Sequence, residues 1–200
     1  PAENLVAEQG RIFLPEDPDK SITIPDLVAA AQANCWGSAI GEASVKPDAC
    51  PPHFIACFIE VNVDTRTGRV KVVNAVSGAD VGTPINLNNV EGQITGGMHM
   101  GLGYALMEDT CFDKEQGHLM NPGFLDYKIF TFADMPSVQP FIADLVEPTG
   151  PFGAKGVGEG VTNPVAPAVA NAIFNAVGVR LTDLPMTPEK VLKALKEKKD

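Results

Sequence analysis

A glycine-rich segment at positions 150–160 constrains this chain more than any other stretch, because five of its eleven residues are glycines. With few side chains to cover it, the backbone there can bring its N–H groups close to a ligand. The segment carries one carboxylate, Glu159, and Asn163 and Pro164 follow as a predicted helix N-cap and first helical residue. A helix N-terminus favours negative charge. The segment predicts either a base held on bare backbone or a tight turn with a solvated Glu159.

A second glycine-rich stretch lies on a predicted helix that begins after a cap at Asn88, with Glu91 three residues further on. Apolar residues recur at helical spacing along it: Val90, Ile94, Met98, Leu102, Ala105 and Leu106. The helix also contains glycines that each cost about 0.5–1 kcal/mol relative to alanine: Gly92, Gly96, Gly97, Gly101 and Gly103. That cost indicates that another backbone or a bulky cofactor lies close to the helix.

Both stretches resemble one known family. The run Gly153–Glu159, followed by a proline-bearing apolar helix, is similar to the C-terminal active-site loop of the xanthine dehydrogenase and aldehyde oxidoreductase family of molybdenum hydroxylases. The run Val90–Leu106 is similar to the buried glycine-rich helix of the same family. Their order and separation also fit, and weaker similarity covers most of the chain.

The resemblance implies an enzyme that hydroxylates an electron-poor carbon of an aldehyde or N-heterocycle with oxygen drawn from water. Glu159 matches the glutamate that acts as the base. The residues that match the cofactor wall are Gly156, Val157, Gly158, Gly96, Gly97 and Met100. Many relatives carry glutamine where Met100 stands, and a thioether cannot replace the donor of that amide.

The cofactor implied by the resemblance is molybdenum held by a pterin, either molybdopterin or its cytosine dinucleotide, with no side-chain metal ligand from this chain. The resemblance also implies 2Fe-2S and FAD centres on other subunits or upstream sequence. The expected partners are therefore the rest of the molybdenum-binding subunit, the iron–sulfur and FAD subunits, and a small-molecule substrate. The alternative is a non-catalytic assembly module that packs its glycine-rich faces against a larger oxidoreductase subunit.

Composition and charge exclude several other classes. The net charge of -10 argues against nucleic acid or an anionic membrane surface as a partner. No C-x-x-C pair signals zinc or an iron–sulfur cluster, so reduced, structural thiols are expected at Cys35, Cys50, Cys57 and Cys111. No leader or long apolar run is present, which predicts a cytoplasmic protein. Because the chain begins at Pro1 without methionine, it is predicted to be a fragment or a cleaved product, and the resemblance implies that residues 1–200 are the C-terminal portion of a longer cofactor-binding domain.

The strand and helix patterns predict an α+β fold, with helices packed on a mixed or antiparallel sheet. Its centre is a predicted antiparallel hairpin of 54–63 and 69–76, joined by a turn at 64–68. The first of these strands is almost continuously apolar, which predicts a central strand covered on both faces. A helix with an apolar stripe from Val165 to Val177 is predicted to stop at Gly178.

The remaining segments give shorter predictions. A hairpin or strand is expected over 5–14 and a loop over 15–20. A capped helix start is expected at 23–26, with Asp26 three residues after Thr23, and the helix is expected to continue over 27–36. Prolines predict an irregular stretch over 37–52. A strand is expected over 142–146 and a last helix over 188–199. His99 is either a core residue or a ligand, and Met98 and Met100 are expected to fill the core. Asp126, Tyr127 and Lys128 either line a pocket or lie on the surface.

Overall fold

The structure, a computed structural model, describes residues 2–38, 40–44, 46, 49–143 and 145–198. The chain divides into two compact units, residues 1–46 and 47–200. Pro47, Asp144 and Lys199, which took part in the sequence predictions, lie outside the described residues. No helix in the described ranges is both long enough and apolar enough to cross a membrane.

The N-terminal unit combines a small antiparallel sheet with one helix. After a 3-10 turn at Ala2–Asn4, the strands β1 (Val6–Glu8), β2 (Arg11–Leu14) and β3 (Asp17–Thr23) pair in the order β1-β2-β3. The predicted hairpin is confirmed, but the predicted loop over 15–20 is wrong because β3 starts within it. Pro18 is tolerated there because β3 lies at an edge of the described sheet, where a missing N–H need not break a ladder.

Helix α1 (Ile24–Ala33) follows β3 directly. The Thr23 side chain accepts a hydrogen bond from the Asp26 backbone N–H at 3.2 Å, as the capping pattern predicted. The helix begins at Ile24, directly after this cap, so the predicted capped start is confirmed. Its last residue, Ala33, lies three positions before the predicted Trp36.

The C-terminal unit is built on a sheet of β4 (Ile55–Val63), β5 (Val70–Ala79) and β6 (Ser137–Ile142). The strand order is β4-β5-β6, with β4 antiparallel and β6 parallel to β5. The predicted hairpin is confirmed. The predicted strand over 142–146 is wrong, since the strand ends at Ile142.

The prediction that the first hairpin strand is central is also wrong. Strand β4 lies at an edge of the described sheet, and β5 occupies the centre. Exposure alternates along β4: Ile59 and Val61 face the core, whereas Phe58 is 67% exposed. The apolar run misled the interpretation because aromatic and β-branched residues suit both the inward and the outward positions of a strand.

Helices cover the inner face of this sheet. Helix α2 (Leu87–Leu106), α3 (Val165–Val177) and α4 (Pro188–Glu197) contribute side chains to its core. The predicted apolar positions of α2 are all buried, and so is most of the stripe on α3. Short 3-10 turns occur at Phe132–Asp134, Pro151–Gly153 and Glu159–Val161. The α+β fold class is confirmed.

Two predicted helix starts are corrected. Helix α2 is capped by Asn86, whose side chain accepts from the Asn89 backbone N–H at 3.0 Å, rather than by Asn88. Helix α3 begins at Val165 without a side-chain cap, so the predicted cap at Asn163 is wrong. The predicted stop of α3 at Gly178 is confirmed: this residue adopts φ of 70°, which glycine reaches without steric cost.

Candidate functional site

The two glycine-rich segments meet where the 3-10 turn at 159–161 packs against α2. A Cβ atom added at Gly97 would overlap the Val161 side chain, and one added at Gly101 would lie 2.5 Å from the Val165 Cβ. Only glycine permits so close an approach. The close contact predicted from the glycine cost of α2 is therefore confirmed at these two positions.

Two other glycines of α2 face away from these neighbours. A Cβ atom at Gly92 or Gly96 would meet no described atom within 4 Å. Met100 continues the same stripe at the next i+4 position and is 60% exposed, so the prediction that it fills the core is wrong. Met98, by contrast, is fully buried as predicted. Helix α2 thus presents an open stripe, Gly92–Gly96–Met100, with its backbone uncovered.

Backbone hydrogen bonds fasten the start of the glycine-rich segment to the end of β5. The Lys155 N–H donates to the Val81 carbonyl at 2.7 Å, and the Thr83 N–H donates to the Gly153 carbonyl at 2.7 Å. Gly82 adopts φ of +64° between them, and a Cβ there would overlap the Gly153 carbonyl. Its replacement would therefore disturb the junction.

Residues 156–158 follow in the segment, with one side chain packed on the core and open space beside the two glycines. Val157 packs against a buried cluster that includes Val81, Ile94 and Val161. A Cβ at either flanking glycine, Gly156 or Gly158, would meet nothing within 4 Å. Within the described part of the chain, no backbone carbonyl accepts from the N–H groups of residues 156–158. Three successive amides are thus available to a ligand.

Glu159 follows these amides and is exposed. The predicted position just before a helix N-terminus is wrong, because Glu159 begins the 3-10 turn and α3 starts only at Val165. The macrodipole of α3 therefore gives no account of Glu159, since that effect fades within the first turn of a helix. What holds Glu159 near α2 is the packing of Val161 against Gly97.

A buried ion pair beside the segment was missed by the sequence analysis. The Lys155 Nζ lies 2.5 Å from the Asp80 Oδ2, and the two side chains are 8% and 9% exposed. Lys155 also donates to the Pro52 carbonyl at 2.9 Å, and the Gly82 N–H donates to the Asp80 Oδ1 at 3.3 Å. The sequence shows Lys155 as a single lysine among glycines, which could have marked it as a candidate. It does not show its partner, because Asp80 lies 75 residues away in the chain.

The ion pair favours the ionised form of the Asp80 carboxyl. The hydrogen bond from the Lys155 ammonium lowers the pKa of Asp80, and the Gly82 N–H acts in the same direction. Because this pKa is lower than in the unfolded chain, the pair stabilises the fold at neutral pH. That contribution is lost as the pH falls below about 4.

The other candidate residues have the following surroundings. His99 packs edge-to-face on Phe130, with ring centroids 5.7 Å apart, which agrees with the core-residue interpretation. Tyr127 lines a shallow cleft with Asn121 and Phe124. The cysteines in the described residues are free thiols, of which only Cys57 packs against the core, so a structural role holds for that one alone.

We expect the Cys57 thiol to resist alkylation at pH 8. Burial raises its pKa to about 11, so only about one molecule in 10³ carries the reactive thiolate at that pH. In the native chain, iodoacetamide should label Cys57 at least about tenfold more slowly than exposed Cys111. The Cys57 rate should then rise about tenfold per pH unit up to its pKa. Equal rates for Cys57 and Cys111 at pH 8, measured by peptide mass spectrometry, would contradict the burial.

Comparison with known proteins adds independent evidence. The profile of the molybdopterin cofactor-binding domain family matches residues 1–136. Over 193 residues the chain is 35% identical to the putative xanthine dehydrogenase molybdenum-binding subunit XdhA of Escherichia coli K12, a match that covers 95% of this chain and 26% of that protein. Over 139 residues it is 42% identical to the aldehyde oxidoreductase of Megalodesulfovibrio gigas, covering 68% of this chain and 15% of that one.

Solved structures agree with this. The crystal structure of quinoline 2-oxidoreductase from Pseudomonas putida 86 matches the whole of this chain and 26% of its own, with a TM-score of 0.85 at 27% identity. The chain therefore spans about a quarter of the length of XdhA and of this enzyme. The profile match, the sequence relatives and the shared fold lead to one conclusion: the chain belongs to the molybdopterin cofactor-binding domain family, as a part of the molybdenum-binding subunits of the xanthine dehydrogenase and aldehyde oxidoreductase type.

Proposed function

We propose that this chain forms one wall of the active site of a molybdenum hydroxylase, which hydroxylates an aldehyde or N-heterocyclic substrate with oxygen drawn from water. The observation that carries the proposal is that two stretches of uncovered backbone flank one packed contact, that of Val161 on Gly97. The open stripe of α2 lies beside Gly97, on which Val161 packs. Val161 belongs to the 3-10 turn at 159–161, and the three available amides of 156–158 directly precede that turn. Relatives named as a xanthine dehydrogenase subunit and an aldehyde oxidoreductase support the reaction class.

The described residues fit a pterin-bound molybdenum. A pterin and its phosphate are rich in hydrogen-bond acceptors, and the N–H groups of residues 156–158 are donors without a described carbonyl partner. Gly96, Gly156 and Gly158 leave room for a bulky group, and exposed Met100 would lie beside it. Gly97 contributes through its backbone, since Val161 fills the side-chain direction. When bound, the group supplies the two-electron redox chemistry.

Glu159 is the residue that we assign to proton transfer. Its carboxylate is exposed and immediately follows the Gly156–Gly158 backbone. A carboxylate at that point can accept a proton at one of its oxygens during attack by the water-derived oxygen. The division of labour is then simple: the backbone binds and orients the cofactor, and Glu159 takes the proton.

The proposed reaction also requires partner subunits. Electrons released at the site must leave it, and the relatives are named as subunits of larger enzymes. We therefore propose that the complete protein assembles with iron–sulfur and FAD-containing subunits. The competing function is a non-catalytic packing module, in which the open stripe of α2 docks against a larger oxidoreductase subunit and binds no cofactor.

Substitution of Gly96 by leucine separates the two functions. A Cβ atom at this position would meet no described atom within 4 Å, so we expect the chain itself to tolerate leucine there, whereas the side chain would occupy space that the cofactor needs. We expect the molybdenum and pterin content of the full-length purified enzyme to fall to about a tenth or less. Metal analysis and pterin fluorescence after oxidation measure the two contents.

Glu91→Leu is the matched control, because Glu91 is exposed on α2 about 140° around the helix from Gly96. We expect this variant to retain its cofactor. Normal cofactor content in Gly96→Leu, combined with loss of subunit assembly, would favour the packing module and overturn the proposal.

A further inference from the structure

The Asp80–Lys155 pair differs in burial from the other ion pairs recorded within the described residues. In the Lys20–Asp17 and Lys193–Glu197 pairs, every side chain is at least 43% exposed. Exposed pairs contribute little to structure, because water and salt screen them. A buried pair is different, since removing one partner leaves an uncompensated charge out of water.

The pair also connects segments that are distant in the sequence. Asp80 directly follows β5, Lys155 lies inside the glycine-rich segment, and the Pro52 carbonyl that accepts from Lys155 precedes β4. The other carboxylate oxygen of Asp80 accepts a hydrogen bond from the Gly82 N–H. The next residue, Thr83, donates its N–H to the Gly153 carbonyl of the glycine-rich segment. One ammonium group therefore joins the segment to the ends of two neighbouring strands.

The position of the pair along the segment gives it a consequence for the site. Lys155 comes directly before Gly156, and among residues 156–158 Val157 is the one that the described core holds by apolar packing. A stretch so rich in glycine loses much conformational freedom when it is held in one conformation. Something must hold it there, and the last fixed point before the available amides is the Lys155 side chain.

We propose that Asp80 and Lys155 are positioning residues that lock residues 156–159 in the conformation in which they serve the site. This inference rests on the proposed function of that segment. Neither residue touches the reacting atoms; the pair acts by fixing the backbone that carries Glu159. Misplacement of a reacting group by about 1 Å can lower the rate by about 10²-fold.

The test uses the full-length holoenzyme with Lys155→Met, Asp80→Asn and the double variant. Hydrogen–deuterium exchange is measured on peptides that cover Thr83 and residues 161–163, whose amides are hydrogen-bonded to the segment. We expect exchange to accelerate at least about tenfold in each single variant. The matched control is Lys193→Met, which removes an exposed ion pair and should leave these peptides unchanged.

Kinetics then distinguish positioning from general stability. We expect kcat to fall about tenfold to a hundredfold in the single variants, with KM changed less than about threefold and molybdenum content retained. The double variant should be no worse than the poorer single variant, because both substitutions break the same pair. Additive losses, unchanged exchange, or faster exchange with normal kcat would each overturn the inference.

Glu159→Gln keeps the two proposals apart. If both hold, this variant loses turnover while its exchange stays normal. If it remains active while Lys155→Met speeds exchange and lowers kcat, the locking role of the pair stands and the assignment of the base fails. If Lys155→Met leaves exchange unchanged while Glu159→Gln is inactive, the proposed function stands and the pair has no positioning role.

Discussion

Replacement of Glu159 by glutamine should lower kcat of the assembled enzyme by about 10²–10⁴-fold, the usual contribution of a general base. Glutamine has nearly the shape of glutamate but cannot accept the proton at neutral pH. Because Glu159 is exposed and its side chain is not part of the core, the substitution should leave the fold and the molybdenum content intact. Steady-state kinetics and metal analysis on the same preparation measure both quantities.

A second exposed glutamate supplies the matched control for this expectation. Glu115 lies in the connection after α2, away from the glycine-rich segment in the sequence, and Glu115→Gln should keep the wild-type rate. A fully active Glu159→Gln enzyme would refute the assignment of the base.

Replacement of Gly97 by leucine should destabilise the C-terminal unit by about 3 kcal/mol or more, the upper end of overpacking costs. The new side chain would have to displace Val161, which is 1% exposed and packs in the cluster with Val81 and Ile94. The Thr162 Oγ1 is also only 3.2 Å from the Cβ position, so there is no space on that side. The 3-10 turn that carries Glu159 would move with Val161.

The neighbouring residue supplies the control. Gly96→Leu changes the same residue type to the same side chain one position away, where no described atom lies within 4 Å. Since leucine is the better helix former by about 0.5–1 kcal/mol, this variant should be neutral or slightly stabilised. Thermal unfolding of the cofactor-free full-length protein compares the two. Equal melting temperatures would contradict the packing of α2 on the turn.

The elements that the sequence predicted best are the helices with a strong local period. The apolar positions of α2 and the stripe of α3 recur at intervals that only a helix satisfies. Turn and cap residues were less reliable: Gly178 ends α3 as predicted, but Asn86 rather than Asn88 caps α2. Several polar residues near a helix start can cap it, and packing selects among them.

The candidate site was predicted in part. Residues Gly156–Glu159 and Gly96–Met100 were named from motif resemblance, and the packing of Val161 on Gly97 brings the two segments together. The sequence did not distinguish Gly96 from Gly97, although one faces open space and the other a buried valine. It also gave no reason to pair Lys155 with Asp80, since complementary charges 75 residues apart carry no local signal.

By itself, the sequence determined the family, the types of most elements and the faces that must be buried, because these follow from short-range periodicity and from motifs of adjacent residues. Only the tertiary structure decided which neighbour fills each face. It placed β5 rather than β4 at the centre of the sheet, Val161 against Gly97, and the ammonium of Lys155 on Asp80. The physical reason is that packing and ion pairing join residues that are far apart along the chain, and their energies depend on distances that no local pattern records.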